Sequence, residues 1–182
     1  FRSPYTAIVA DRVAALADAY NVDLRLRFVL PMVMRNLPLP KAKREYIIAD
    51  TAREARRVGA AFGKVCDPVG RPVERGYSLL PWAIEQGRGM DYVREFLRNV
   101  WSEGVDANSN SGMRRIVEAT GLDWRDARLL LGNDDWRDEA EANRLEMMSL
   151  GVWGVPSFKI GDVVTWGQDR LWLIEDELKK TG

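Results

Sequence analysis

The hydrophobic pattern of this chain changes its period twice. Residues 22–29 alternate apolar and charged side chains, which is the two-residue period of a strand. From Lys41 the apolar residues recur at helical spacing for about a hundred residues. Two short apolar segments, 157–160 and 163–166, then flank a Gly-Asp pair that favours a hairpin turn. The chain must therefore combine a small sheet with a large block of helices.

Glycine, proline and capping residues predict where the helices begin and end. Ser3-Pro4 begins the first one, because serine favours the N-cap and proline the first helical position. Loops are predicted over 32–40 and 60–75, which contain most of the prolines between the two sheet segments. A final helix should follow Gly167, with Leu171, Ile174 and Leu178 on its buried face. The helices predicted between the sheet segments are 41–59, in which Tyr46 is a buried candidate, 78–85, 90–101, 109–121, 123–131 and 134–150.

The order of these elements predicts an α/β domain that is divided by an inserted helical domain. Residues 1–35 and 151–182 would form the α/β domain, and residues 36–150 the insertion. A βαβ unit needs a strand before its first helix, so Phe1 and Arg2 are interpreted as the end of a strand that begins upstream. We expect the natural protein to have additional residues there, which the mass of the intact protein would test.

Composition excludes several classes of function. The chain has 27 basic and 27 acidic residues, so no net charge favours nucleic acid or a membrane surface, and neither is expected as a partner. It has no histidine, which removes the most common general base and metal ligand, and no metal is expected. The single cysteine, Cys66, cannot form an internal disulfide or a dithiol centre, which favours a reducing cytoplasm.

Two distant segments carry groups that could bind a ligand. The hydroxyl of Ser3 should lie at the positive end of the first helix, where an anion is stabilised. Val155-Pro156 directly precedes a strand, and proline there belongs at the strand entrance. The backbone of Val155 could then pair with an extended, peptide-like ligand. Each residue also has a purely structural interpretation, as a helix cap or as a rigid turn.

Three motifs give the chain a family resemblance. Ser3-Pro4-Tyr5-Thr6 resembles the position where the DsbA group of thioredoxin-fold proteins has a C-x-x-C motif facing a Val-cis-Pro, although both cysteines are absent here. Together with Gly154-Val155-Pro156-Ser157-Phe158 and Trp166-Gly167-Gln168-Asp169-Arg170-Leu171, it is similar to the 2-hydroxychromene-2-carboxylate isomerases and the kappa-class glutathione transferases. This resemblance implies a thioredoxin-like fold of the DsbA/kappa type with a large, all-helical insertion.

The same resemblance implies glutathione as the cofactor and assigns residues to it. Ser3 would be the catalytic residue and donate a hydrogen bond to the sulfur, while Val155 and Pro156 would hold the cysteinyl part. Gln168 and Asp169 would hold the γ-glutamyl end. The family also contacts glutathione or the substrate carboxylate through an asparagine and a lysine. The corresponding residues here are Asn36 and Lys43, in a segment that is also consistent with a solvated basic loop.

The implied function is a glutathione-dependent isomerase of 2-hydroxychromene-2-carboxylate-type aromatic acids, acting as a homodimer. Two alternatives remain open from the sequence. One is a kappa-like glutathione transferase that conjugates electrophiles, and the other is a cysteine-less, DsbA-like protein that binds peptides. Arg2, where the family commonly has a small or apolar residue, and the short loop after Pro31 depart from the family pattern. Trp153 and Trp166 are expected to pack in the core or to form a wall for an aromatic substrate, and Asn143 to make a structural contact.

Overall fold

The computed structural model describes residues 1–181, without the side chain of Thr181, and consists mainly of helices with one small sheet. Two 3₁₀ segments, Met32–Arg35 and Gln168–Arg170, connect the regular elements. None of the helices in this described part is long and apolar enough to cross a membrane. The regular elements are α1 Pro4–Tyr20, α2 Lys41–Val58, α3 Arg71–Glu85, α4 Gly89–Ser102, α5 Asn110–Ala119, α6 Trp124–Leu130, α7 Trp136–Ser149, β1 Ser157–Ile160, β2 Val163–Trp166 and α8 Leu171–Thr181.

Helix α1 begins as its sequence predicts. The backbone N–H of Thr6 donates to Ser3 Oγ over 3.2 Å, and Pro4 occupies the first turn. The helix ends at Asn21, whose φ of 49° and ψ of 49° are left-handed. Asparagine adopts this conformation more readily than most residues, which explains the position of the stop.

The predicted hairpin is confirmed, but the predicted strand over 22–29 is wrong. β1 and β2 pair antiparallel, with Ser157 opposite Trp166 and Ile160 opposite Val163. The segment 22–29 is extended but unpaired, because a strand requires a neighbouring backbone and no other strand of the described residues lies beside it.

Side chains hold the end of this extended segment instead of a backbone ladder. The hydroxyl of Tyr77 donates to the carbonyl of Val29 over 2.8 Å. The amide of Asn143 donates to the carbonyl of Phe28 over 3.1 Å, which is a structural contact of the expected kind. Both carbonyls are therefore satisfied without a strand partner.

Two further expectations in the helical block need correction. Helix α3 begins at Arg71 rather than at residue 78, because Pro72 lies in its first turn, where a missing N–H costs nothing. Tyr46, expected to be buried in α2, is 61% exposed. α2 buries only Thr51 and Ala55, which lie one helical turn apart, so a narrower stripe than predicted faces the protein.

The core consists of two apolar clusters, and the smaller one joins the two ends of the chain. The larger cluster contains Trp136, Tyr92 and Phe96, and the ring of Phe1 stacks on Phe96 at 4.1 Å between centroids. The smaller cluster joins Val9 of α1 to the face of α8 that was predicted to be buried. The members of that face are Leu171, Ile174 and Leu178. The start of α1, the entrance to β1 and the start of α8 lie next to one another, as the Ser3–Val155 and Gly167–Pro156 hydrogen bonds show.

Candidate functional site

The two segments predicted to meet are in direct contact. Ser3 Oγ donates a hydrogen bond to the backbone carbonyl of Val155 over 3.1 Å and accepts one from the N–H of Thr6. The peptide bond between Val155 and Pro156 is cis, as the resemblance implies. Ser3 therefore joins the first turn of α1 to the entrance of β1.

The electrostatic environment of Ser3 favours an anion. α1 is 17 residues long and has no acidic side chain in its first turn, so nothing in that turn compensates the positive end of its dipole. Arg2 adds little free charge, because its Nε and Nη2 donate to the two carboxylate oxygens of Asp67 over 2.8 and 2.6 Å. The N-terminus of α1 is therefore a source of positive potential at the hydroxyl.

Val155 is an exposed residue whose backbone N–H is unpaired within the described chain. Val155 is 38% exposed, whereas Pro156 is buried. In the part of the chain that the structure describes, the Val155 N–H has no hydrogen-bond partner. Among the described residues, only Ser3 donates a hydrogen bond to the Val155 carbonyl. A donor and an acceptor on one residue are therefore available to an extended ligand.

Gln168 and Asp169 follow directly from this backbone. The carbonyl of Pro156 accepts from the N–H of Gly167 over 2.9 Å, which places the next two residues beside the Val155 turn. Asp169 is exposed and pairs with Arg170. A side chain on Gly167 would place its Cβ 2.6 Å from Asp169 Oδ1, so glycine allows the Asp169 carboxylate to approach the backbone of residue 167. The φ of Gly167 is 112°, which also favours glycine.

The side chain of Gln168 is occupied by contacts within the protein. It is 4% exposed, donates from Nε2 to Glu54 Oε2 over 2.7 Å and accepts from Arg12 Nη1 over 3.4 Å. The amide is already committed to α1 and α2. Gln168 therefore fixes the start of α8 relative to both helices.

One face of α2 borders the site, and the sequence analysis did not identify it. The hydroxyl of Tyr5 donates to Asp50 Oδ2 over 2.7 Å, and burial together with this carboxylate raises the pKa of Tyr5. Glu54 lies one turn further along α2 and Arg57 one turn beyond that. The spacing of Asp50, Glu54 and Arg57 was the available signal, because residues three and four apart share a helix face.

Asn36 and Lys43 lie on the segment that leads into α2. Asn36 ends the first 3₁₀ segment in a left-handed conformation, with a φ of 58°, and is exposed. Lys43 is exposed in the first turn of α2. Within the described residues, neither side chain forms a hydrogen bond with Ser3, Val155 or Asp169.

Two tryptophans form an apolar wall beside Val155. The rings of Trp153 and Trp166 lie 5.1 Å apart between centroids, and the side chains are 57% and 47% exposed. Gly154 allows this arrangement, since a Cβ there would lie 2.7 Å from Trp166 Nε1. The pair lies at the surface and not in the core. Over residues 1–181 no cluster of side chains suits a metal ion.

A shallow groove of about 600 Å³ lies between α1 and α8, away from Ser3. It is lined by Leu16, Tyr20 and Trp172, and also by Arg12, the donor to Gln168. Arg12 therefore links this groove to Gln168 at the start of α8.

Comparison with known proteins places this geometry in context. Residues 1–179 match the model of the DSBA-like thioredoxin domain. A 2-hydroxychromene-2-carboxylate isomerase of Pseudomonas putida is 22% identical to this chain, and the match covers 98% of this chain and 90% of the relative. A 2-hydroxychromene-2-carboxylate isomerase of Pseudomonas sp. strain C18 is 21% identical, and the match covers 97% of this chain and 85% of the relative. The solved structure of a 2-hydroxychromene-2-carboxylate isomerase superposes with a TM-score of 0.79 at 21% identity, covering 98% of this chain and 91% of that one. A probable DsbA oxidoreductase from Streptomyces coelicolor superposes with a TM-score of 0.66 at 18% identity, covering 98% of this chain and 85% of that one. The predicted DsbA-like thioredoxin fold is confirmed.

Proposed function

The chain belongs to the family of DSBA-like thioredoxin domains, and on that premise we propose that it is a glutathione-dependent isomerase of 2-hydroxychromene-2-carboxylate-type aromatic acids. The main support is the contact between Ser3 and Val155, which joins an anion-stabilising helix terminus to an open backbone. The names of the relatives at 21–22% identity give the reaction class. The homodimer implied by the resemblance and the cytoplasmic location favoured by the single cysteine stay predictions.

Binding of glutathione would exchange one hydrogen bond at Ser3. The hydroxyl now donates its single proton to the Val155 carbonyl. A backbone N–H of the tripeptide can take over that carbonyl, as in strand addition. The hydroxyl is then free to donate to the sulfur while it still accepts from Thr6. The backbone contact with Val155 would therefore position the thiol and also free the Ser3 hydroxyl to donate to it.

The protein would contribute thiolate stabilisation and orientation to the reaction. Bound glutathione would supply a thiolate that adds to the conjugated double bond of the acid, permits rotation and leaves unchanged. Ser3 and the α1 terminus would favour the ionised sulfur, because both stabilise negative charge there. The Trp153–Trp166 wall offers an apolar surface for an aromatic ring.

Calorimetric titration with glutathione tests the binding site. Asp169→Ala should weaken binding, because an exposed carboxylate at the start of α8 can pair with the glutathione ammonium. Asp162→Ala is the matched control, since Asp162 is also exposed and lies in the hairpin turn. Equal affinity of the two variants would remove Asp169 from the site, and absence of binding by the unmodified protein would contradict glutathione dependence.

Turnover distinguishes isomerase from transferase chemistry. The protein, glutathione and 2-hydroxychromene-2-carboxylate are incubated together, and glutathione and both isomers are quantified. An isomerase leaves the amount of glutathione constant while the isomers equilibrate. Loss of glutathione in proportion to product would indicate a transferase. Absence of both changes, together with binding of extended peptides at Val155, would favour the cysteine-less binding protein.

A further inference from the structure

Arg75 of α3 is a buried cation that has no ion-pair partner among the described residues. The residue is 6% exposed, and its Nη2 donates to Asn110 Oδ1 over 2.6 Å. Its Nε is fully buried and has no hydrogen-bond partner within the same residues. Nη1 makes no hydrogen bond there either, but unlike Nε it is not fully enclosed. A buried charge without a counter-ion costs free energy, and a bound anion would offset that cost.

The guanidinium of Arg75 contacts the N-terminus of α5. Asn110, which accepts its hydrogen bond, is the first residue of this 10-residue helix, and the first turn has no acidic side chain. The capping Ser109 Oγ accepts only from the N–H of Gly112, over 2.9 Å. In the described part of the chain, the N–H groups of Asn110 and Ser111 have no partner. Two unused backbone donors at the positive end of a helix dipole therefore lie beside the buried cation.

A second arginine lies on the same side of α3. Arg71 precedes Arg75 by four residues, so the two side chains share a helix face. Burial, followed by the positive charge of Arg71, lowers the pKa of Arg75, which agrees with this spacing. Arg71 is exposed and forms no ion pair with another described residue. Its charge is consequently available to a ligand that approaches from solvent.

The carboxylate of Asp106 opposes these positive charges. Asp106 lies in the turn before α5, where its Oδ1 accepts from the N–H of Asn108 over 2.8 Å. Two guanidinium groups and a helix terminus outweigh this one carboxylate, so the region favours an anion with more than one charge. A phosphomonoester has about −1.5 to −2 charges at pH 7 and three acceptor oxygens, which suits both the charge and the number of donors.

We propose that Arg75, Arg71 and the N-terminus of α5 form a binding site for a phosphate group. Nη1 of Arg75 and the N–H groups of Asn110 and Ser111 would donate to the phosphate oxygens, and Arg71 would pair with the phosphate from the solvent side. The phosphate would thus be the counter-ion that the buried guanidinium lacks. This site goes beyond the proposed function, because none of its residues belongs to the thiol site described above.

Calorimetric titration with inorganic phosphate tests the site, with sodium chloride used to keep the ionic strength constant. The unmodified chain should bind one phosphate, and Arg75→Gln should bind it about tenfold more weakly. Arg71→Gln removes an exposed charge without an ion pair and should weaken binding about threefold. Arg56→Gln is the matched control for Arg71→Gln, since Arg56 is also an exposed helical arginine without an ion pair among the described residues, and its affinity should not change.

Asp106→Asn gives a result that a purely structural role of Arg75 would not produce. The asparagine retains the oxygen that accepts from the N–H of Asn108 and removes the opposing charge. Phosphate affinity should therefore rise about threefold. An unchanged or lower affinity in this variant would contradict a phosphate bound at the start of α5.

The remaining outcomes also support or overturn the site. Absence of phosphate binding by the unmodified chain overturns it, and so does an equal affinity of Arg71→Gln and Arg56→Gln. If circular dichroism shows that Arg75→Gln has lost its helices, Arg71→Gln and Asp106→Asn decide the question. Titration with glycerol 2-phosphate then distinguishes two sources of the group, both consistent with the site: tighter binding than inorganic phosphate indicates a phosphorylated metabolite, and weaker binding indicates free phosphate.

Discussion

Ser3 Oγ lies 3.1 Å from the carbonyl oxygen of Val155, although 152 positions separate the two residues. This hydrogen bond holds the positive end of α1 next to the backbone of Val155. A cysteinyl ligand that pairs with Val155 would have its sulfur near the helix terminus.

A thiol at position 3 should be more acidic than Cys66. Ser3→Cys places sulfur at the start of α1, where the helix terminus stabilises the thiolate and lowers the pKa. Burial, followed by the carboxylates of Asp106 and Asp67, raises the pKa of Cys66. At neutral pH the new thiol should therefore be alkylated faster, because only thiolates react. After alkylation at a series of pH values, mass spectrometry of the peptides that contain residues 3 and 66 gives the alkylation midpoint of each thiol from one sample.

Cys66 is the internal control for this experiment, and Asp106→Asn tests the cause of its shift. The asparagine retains the side-chain oxygen that accepts from the N–H of Asn108, but it removes a negative charge. The alkylation midpoint of Cys66 should therefore fall. A midpoint for the new thiol at or above that of Cys66 would contradict a stabilising helix terminus at position 3.

Asn143→Ala should destabilise the fold. Asn143 is 5% exposed, and its amide donates to the Phe28 carbonyl. Removal of the amide leaves a carbonyl without a partner in the core, which costs about 1–3 kcal/mol of unfolding free energy. Urea denaturation measures the loss. Asn108→Ala is the control, because Asn108 is exposed and its substitution should stay within about 0.5 kcal/mol. Equal stability of the two variants would contradict this contact.

Gly154→Ala should displace Trp166 from Trp153. The added Cβ would meet Trp166 Nε1 at 2.7 Å, and the ring can move because the side chain is 47% exposed. The near-ultraviolet circular dichroism of the tryptophan pair should change, while the unfolding free energy falls by about 1 kcal/mol, the low end of the cost of overpacking. Trp153→Phe identifies the signal of the pair. An unchanged spectrum in Gly154→Ala would show that the rings are not in contact in solution.

The elements that the sequence predicted best are those fixed by local chemistry. The Ser3 cap and the hairpin around Gly161 depend on residues close in sequence, and both agree with the structure. The buried face of α8 follows from helical spacing alone. The contact between Ser3 and Val155 is not local, and it was predicted through the family resemblance.

The errors arose where distant parts of the chain decide the outcome. Residues 22–29 have a strand pattern, but pairing depends on a second backbone. Tyr46 is apolar enough for a core, yet α2 buries only a narrow face. The contacts of Gln168 with Glu54 and Arg12 join three elements, and no spacing within the chain indicates them.

The ionisation of bound glutathione tests the central claim most directly. The ultraviolet absorbance of the thiolate is followed against pH at saturating protein, for the unmodified chain and for Ser3→Ala. The bound thiol should have a pKa below the free cysteine-type value of about 8.5, so that thiolate persists to lower pH, and Ser3→Ala should raise that pKa. A bound thiol that titrates like free glutathione, or an identical pKa in the two proteins, would contradict a thiolate site at Ser3.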